Sequence, residues 1–91
     1  MKLIIGFITY NKQTAKYLPY FLPSIFNQSE KDFEVFCIDN SDYEENDNQR
    51  YIKNNYSDIN FLWSGENIGF ARAYNKMIRR YLYLYLTVLR I

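Results

Sequence analysis

The sequence predicts an α/β fold: a Rossmann-like, partial parallel sheet of three to four strands with flanking helices. Short apolar runs alternate with longer segments whose apolar residues recur at helical spacing, in the order strand, helix, strand, helix, strand, helix. Each apolar run also ends in polar residues, as strands do when their carboxyl ends line a binding crevice. Because strands joined through helices lie parallel, this order corresponds to half of a doubly wound fold.

The composition is that of one small globular domain. The chain has 91 residues, 48% hydrophobic and 23% charged, so a single domain over residues 1–91 is expected. A net charge of +1 provides no field to attract nucleic acid. One cysteine and no histidine exclude a disulfide framework and a Cys/His metal site, so Cys37 is expected to be a small buried hydrophobe.

Neither a signal peptide nor a transmembrane segment is evident. A cytoplasmic location is favoured, with peripheral attachment to the inner membrane face left open.

The first strand is predicted over residues 3–8, a continuous apolar run followed by a polar segment at residues 9–11. Such a run is typical of a strand that is buried on both faces. Residues 14–28 then carry apolar side chains at helical spacing, but Pro19 and Pro23 cannot both lie in a first turn. A kinked or late-starting helix is therefore expected in this segment.

The second strand is predicted over residues 33–38 and leads into a polar cluster at residues 39–42. Ser41 and Glu44 have the spacing of a capping box, in which the serine side chain and the glutamate side chain bond to each other's backbone N–H groups. The second helix is therefore expected to begin at this serine and to run toward Asn55.

A third strand is predicted over residues 59–63, and a third helix opens within residues 66–75. The final residues, 81–91, alternate with a period of two and favour a fourth strand over a helix. The join at residues 79–81 contains no turn residue. It leaves two alternatives: either the helix continues into the tail, or the tail is poorly adapted to the fold.

Three polar clusters are expected to meet at the carboxyl edge of this sheet. Asp39 can accept the imide N–H of a pyrimidine, and Arg72 in the first turn of a helix can hold a phosphate. Gly69 would let a ligand approach the backbone closely. The candidate binding residues are Thr9, Tyr10, Asn11, Asp39, Asn67, Gly69, Arg72 and Asn75.

Each candidate also has a purely structural interpretation, which we favour for any one residue taken alone. Asp39 and Asp42 can form an Asx turn and a helix cap, Arg72 can be a solvated charge, and Gly69 can serve only a turn. The two aspartates also have the spacing of a hard-metal pair, but a turn at a helix start fits them better.

Three segments, ITYNKQTAKYLPYFLPSIFNQ, DFEVFCIDNSD and ENIGFARAYNKMI, carry a resemblance when they are taken in this order. The chain resembles the amino-terminal half of a family 2 glycosyltransferase of the GT-A fold, especially the rhamnosyltransferase-like bacterial members. The resemblance covers residues 1–78 and leaves residues 79–91 as an atypical tail. It implies a domain that binds a UDP- or dTDP-sugar, in the synthesis of cell-surface polysaccharide.

The resemblance also implies roles for individual residues. Asp39 would pair with the uracil or thymine ring, and Arg72 would contact the base or a phosphate. The residues bordering the base and ribose would be Thr9, Tyr10 and Asn11. The residues of the family's asparagine-glycine block, on the diphosphate side, would be Asn67, Gly69, Arg72 and Asn75.

One departure from the family pattern concerns the metal. Family members continue into a strand ending in an Asp-x-Asp motif, which holds Mg²⁺ or Mn²⁺ on the diphosphate; residues 87–91, Thr-Val-Leu-Arg-Ile, stand in that place. The acceptor-binding half and its catalytic carboxylate do not follow. We therefore expect a truncated, donor-binding domain that does not complete transfer.

The alternative is a non-catalytic α/β module or gene remnant without a ligand, with self-association through the Tyr/Leu tail. A receiver-like module is disfavoured because the lysine and acidic cluster that it needs are not evident.

Overall fold

The computed structural model of the chain describes residues 3–29, 31–66, 68, 69, 72, 73, 75, 79 and 85–89. Across these residues the strands are β1 (Leu3–Thr9), β2 (Phe33–Asp39), β3 (Asn60–Trp63) and β4 (Tyr85–Leu89). They form a four-stranded sheet in the order β3-β2-β1-β4, and every neighbouring pair is parallel. The predicted α/β fold with a parallel sheet of three to four strands is confirmed.

The chain builds this sheet outward from β1, which lies between β2 and β4. Strands β1, β2 and β3 succeed one another in one direction, and the chain then returns to pair β4 with the other side of β1. The carboxyl ends of β1 and β4 therefore adjoin where the strand order reverses. In open parallel sheets this reversal is where ligands bind.

The fourth strand is confirmed at residues 85–89. Its register runs from Leu3 opposite Tyr85 to Phe7 opposite Leu89, so this part of the tail continues the sheet. The period of two in residues 81–91, where tyrosine alternates with leucine, predicted this strand correctly. Residues 80–84, 90 and 91, which include most of the join, lie outside the described residues.

The helices are α1 (Asn11–Ala15), α2 (Leu18–Phe26) and α3 (Asp47–Asn55). Of the two alternatives for residues 14–28, the late-starting helix is confirmed, because α2 begins at Leu18; the short helix α1 before it was not predicted. Pro19 lies in the first turn of α2, where its missing N–H has no helical partner to lose. Pro23 lies inside the helix and removes one hydrogen bond there. A new helix start at residue 18 thus accommodates one proline without cost.

Helix α3 begins later than its predicted capping box. Its N-cap is Asn46, whose Oδ1 accepts hydrogen bonds from the backbone N–H groups of Asn48 at 2.9 Å and Gln49 at 3.2 Å. The capping box of Ser41 and Glu44 is wrong, because the serine hydroxyl donates instead to a carboxylate at the end of β2. The hydrogen bonds of the Ser41 hydroxyl, to Asp39 two residues earlier and from the Asn11 N–H, have overridden the local capping signal.

Helical elements cover both faces of the sheet. On one face, α2 and α3 pack on alternate side chains of β1 and β2; this cluster comprises Ile5, Phe7, Leu18, Leu22, Ile25, Val35, Cys37, Ile52 and Ile59. On the other face, Ile38 packs with Ala73, and Ile68 packs against them. The predicted third helix is confirmed at its described positions, Arg72, Ala73, Asn75 and Arg79, which are helical. Among the helices of the described residues, none is long and apolar enough to cross a membrane.

Candidate functional site

Thr9 and Asp39 form a buried polar pair at the carboxyl ends of β1 and β2. They lie opposite each other in register, and each follows an apolar core residue by two positions, Phe7 and Cys37, so they share the face that those residues bury. Both are fully buried. Thr9 Oγ1 donates to Asp39 Oδ1 at 2.8 Å. The apolar core therefore ends in a hydrogen-bonded pair at the edge where a ligand is expected.

The Asp39 carboxylate is held entirely by protein donors. Its Oδ1 also accepts from Ser41 Oγ at 2.6 Å, and its Oδ2 accepts from Asn46 Nδ2 at 2.7 Å. Such bonds to a charged acceptor are stronger than those between neutral groups and offset the loss of water around a buried charge. Since the N-cap of α3 is also a donor to Asp39, the carboxylate fixes the start of that helix against the sheet.

Cys37 lies behind this pair and is fully buried, which confirms its prediction as a buried hydrophobe. Its Sγ is 3.4 Å from Thr9 Oγ1. Because the threonine proton is directed to Asp39, the thiol is the donor in this contact. Burial raises the pKa of the Cys37 thiol far above its usual range, and the Asp39 charge raises it further. The thiol is therefore protonated and inert in the folded protein.

Asn11 closes the edge above β1 in an unusual backbone conformation. Its φ is 46°, in the left-handed region. Its backbone N–H donates to Ser41 Oγ at 2.8 Å, and its carbonyl accepts from Asn48 Nδ2 at 2.9 Å. Its side-chain amide exchanges two hydrogen bonds of 3.0 Å with Asp42, one to the carboxylate and one from the backbone N–H. Ser41 and Asp42, after β2, and Asn48, in α3, thus bond both the backbone and the side-chain amide of this residue.

These contacts form one wall of an open cleft of about 520 Å³, called the Asn11 cleft from here on. Its lining residues are Asn11, Lys12, Gln13, Asp42, Tyr43, Asn46, Asp47 and Arg50. Amide side chains are among the lining groups, and Tyr43 is 76% exposed. Arg50 and Asp47 form an exposed ion pair within it. The cleft therefore offers the Gln13 amide and one aromatic ring, and its two cations, Lys12 and Arg50, are matched by two carboxylates, Asp42 and Asp47.

A second cleft of about 350 Å³ lies beside the third helix and is called the Arg72 groove. It is lined by Ile68, Arg72, Asn75 and Arg79. Arg72 and Arg79 are exposed, and among the described residues neither guanidinium has an ion-pair or hydrogen-bond partner. A guanidinium in this state is free to bind a phosphate through two parallel hydrogen bonds.

The segment Asp39–Asp42 connects the two clefts. On one side it bonds Asn11 through Asp42. On the other side, Asn40 Nδ2 donates to the Gly69 carbonyl at 3.4 Å. Gly69 has a φ of 75° and open space where a Cβ would lie, so its conformation, rather than crowding, requires glycine.

A comparison with models of known protein families matches the chain to Glycosyl transferase family 2 over residues 4–89. This match spans nearly the whole chain and includes β4. The chain belongs to glycosyl transferase family 2. A comparison with curated proteins finds no match. In this family 2 glycosyltransferase chain the match extends past residue 78, where the resemblance of the three segments ends.

The candidate binding residues of this family 2 chain fall into separate groups. Thr9, Asn11 and Asp39 belong to one hydrogen-bond network, and Tyr10 lies beside them, its backbone N–H donating to Thr14 Oγ1 at 2.8 Å. Asn40 links Gly69 to this network, whereas Arg72 and Asn75 line the separate Arg72 groove. Asn67 lies outside the described residues.

Sequence reasoning placed Asn40 and Ser41 in the polar cluster at this edge without choosing either as a binding residue, and it did not select Asn46, Asn48 and Ser64, which also build the network. Ser64 Oγ lies 3.0 Å from both the Asp39 carbonyl and Asn40 Oδ1. Asn46 could have been found, because asparagine is a favoured N-cap and α3 follows it directly. The others are ordinary polar residues in sequence; burial distinguishes Asn40, Ser41 and Asn48, and only its hydrogen bonds distinguish Ser64.

Of the residues that the structure describes, the aspartates at the sheet edge do not fit a metal ion on a bound diphosphate. Within the described residues, no group of three or more Asp, Glu, His or Cys side chains could hold a metal. Of the two aspartates with suitable spacing, Asp39 accepts three hydrogen bonds from protein donors and Asp42 accepts one from Asn11. The helix start expected at this pair is not found there, because α3 begins at Asp47 and its N-cap is Asn46. No step of the chemistry is therefore assigned to a metal held by these residues.

Proposed function

We propose that this family 2 chain binds the nucleotide part of a UDP- or dTDP-sugar at the carboxyl edge of its sheet. The observation that carries the proposal is that one four-residue segment, Asp39–Asp42, contacts both the Asn11 cleft and the start of the helix that carries Arg72. A ligand with one uncharged end and one strongly anionic end matches this pair of surfaces.

The Asn11 cleft suits the nucleoside. The side-chain amide of Gln13 offers a donor and an acceptor for ribose hydroxyls and a pyrimidine ring, and the exposed ring of Tyr43 can stack on a base. In this arrangement Thr9, Tyr10 and Asn11 border the nucleoside. Asp39 would contact the pyrimidine only by exchanging one of its protein donors for the ring N–H. Its predicted role as a direct base ligand thus stays a prediction.

The Arg72 groove suits the diphosphate. Arg72 lies close to the end of β2, because Gly69 three residues earlier is bonded to Asn40. Its exposed guanidinium can bind phosphate oxygens bidentately, and Asn75 one turn later can donate a further hydrogen bond. Arg72 is therefore the residue whose loss should most weaken donor binding.

The proposal is limited to donor binding. Sugar transfer requires a carboxylate that takes the proton of the acceptor hydroxyl. The edge carboxylates, Asp39 and Asp42, are already occupied by protein donors, so neither is assigned that role. We propose that the chain serves as a donor-binding unit in cell-surface polysaccharide synthesis, on the cytoplasmic side and near the inner membrane face. This setting rests on the resemblance of the three segments.

A titration of the purified chain with UDP and dTDP, followed by the backbone amide shifts of Gly69 and Arg72, tests the proposal. Saturating shifts at both amides support it. The matched ligands are uridine, which lacks the phosphates, and inorganic pyrophosphate, which lacks the nucleoside; each should bind more weakly than UDP. No shift at millimolar nucleotide would sink the binding claim and favour a non-catalytic α/β module without this ligand.

A further inference from the structure

Asn11 holds a backbone conformation that needs external support. Among the described residues it is the one non-glycine residue with positive φ. Asparagine tolerates this region better than most residues, but the conformation is still disfavoured over the right-handed and extended ones. Residues in such conformations persist where their surroundings hold them, and they are frequent at ligand sites.

The support comes from Asn48, in the first turn of α3. Its Nδ2 donates to the Asn11 carbonyl at 2.9 Å and lies 3.3 Å from Ser41 Oγ, which in turn accepts from the Asn11 N–H. Both backbone polar groups of Asn11 are thus connected to one side-chain amide. Asn48 is fully buried, so water does not compete for these bonds.

The carbonyl oxygen of the same amide forms a second set of bonds, called the second arm, which holds Tyr10, the residue before Asn11. Asn48 Oδ1 accepts from Thr14 Oγ1 at 2.9 Å, and that hydroxyl accepts from the backbone N–H of Tyr10 at 2.8 Å. The arrangement uses both amide hydrogens and the carbonyl oxygen. An aspartate would lack the donors, and a glutamine would be longer by one methylene. The site therefore specifies asparagine.

We propose that Asn48 is a positioning residue of the donor site, which holds Asn11 in its left-handed conformation and thereby sets the wall of the Asn11 cleft. Asn48 does not line that cleft and acts through Asn11. Its effect on the ligand rests on the proposed function, whereas its effect on the Asn11 backbone does not.

The test compares wild type with Asn48→Ala and with a matched control, Asn55→Ala. Asn55 lies on the same helix and makes one exposed hydrogen bond, from Nδ2 to the Tyr51 carbonyl. The three-bond coupling between the Asn11 amide and Cα protons, with the Asn11 carbon shifts, reports φ. UDP affinity is followed at the amides of Lys12 and Gln13. In Asn48→Ala the coupling should move away from its wild-type value and UDP affinity should fall about tenfold. The control should change neither.

An unchanged Asn11 coupling in folded Asn48→Ala overturns the proposal, and so does a changed coupling with unchanged UDP affinity. If Asn48→Ala does not fold, Thr14→Val removes the second arm alone and should shift the Tyr10 and Asn11 amides and weaken UDP binding several-fold; unaltered shifts and affinity there overturn the proposal too. If wild type binds no UDP, the proposed function fails separately. The Asn11 coupling then still decides whether Asn48 holds the turn.

Discussion

The Asn11 cleft and the Arg72 groove lie at the same edge of the sheet but differ in how their polar groups are used. Around the Asn11 cleft, Asp39, Ser41 and Asn48 are buried and bonded to one another or to Asn11. In the Arg72 groove the polar side chains are exposed, and the described part of the chain supplies neither arginine with a partner.

Because of this difference, substitutions in the two clefts should affect different properties, the free energy of unfolding in one and ligand affinity in the other. Removing a buried, bonded group leaves its neighbours without partners, at a cost of about 1–3 kcal/mol for each buried group. Removing an exposed charge usually changes the free energy of unfolding by less than about 0.5 kcal/mol. We therefore expect variants near the Asn11 cleft to lower stability, and variants in the Arg72 groove to lower ligand affinity alone.

The largest effect is expected for Asp39→Ala. Three donors, on Thr9, Ser41 and Asn46, would lose their acceptor. Denaturant unfolding should show a loss of about 3 kcal/mol, a large part of the stability of a domain of this size. Asp58→Ala, at an exposed aspartate, is the control and should cost under about 0.5 kcal/mol. Equal losses of unfolding free energy in the two variants would contradict the difference between a buried, bonded carboxylate and an exposed one. If Asp39→Ala does not fold, Asp39→Asn keeps one acceptor and should cost less.

The Asn46 side chain both caps α3 and donates to Asp39, and two variants distinguish these roles. Asn46→Ala removes both the N-cap of α3 and a donor to Asp39, and should lower the free energy of unfolding by about 2 kcal/mol. Asn46→Ser keeps a capping oxygen but not the amide donor, and should cost about 1 kcal/mol. Should both variants lose the same amount, the cap would contribute nothing measurable.

Arg72→Gln should leave the free energy of unfolding within about 0.5 kcal/mol of wild type and weaken UDP binding about tenfold, which corresponds to about 1.4 kcal/mol. Lys53→Gln removes the same charge from the last turn of α3, far from the edge, and should alter neither quantity. Calorimetric titration and denaturant unfolding measure the two effects. A large stability loss in Arg72→Gln would show that the groove is structural.

The smallest effect is the pH dependence from Cys37. Because its pKa is raised in the folded state above the ordinary value of 9.0, the thiol stays protonated there while the unfolded chain ionises. The contribution of this thiol to the free energy of unfolding is fully present below pH 9. It is lost as pH rises, by about 1 kcal/mol between pH 9 and 10. Unfolding of Cys37→Ala should lack this part of the slope. Identical slopes in the two proteins would mean that the thiol ionises while folded.

The sequence predicted the sheet well because an apolar run followed by polar residues is a local signal. It predicted the start of α3 wrongly because two capping signals competed. Ser41 had the better spacing, but its hydroxyl bonds to Asp39, and Asn46 caps the helix. The exposed position of Arg72 followed from helical spacing alone. The role of Asn48 could not be predicted, because its partners are 34 and 37 residues away in the chain.

A single UDP titration tests most directly whether the two clefts form one donor site. The amides of Lys12 in the Asn11 cleft and of Arg72 in the Arg72 groove are followed in the same samples. One nucleotide that spans both clefts predicts saturating shifts at both amides with the same dissociation constant. Shifts at one amide alone, or two different dissociation constants, would contradict the account.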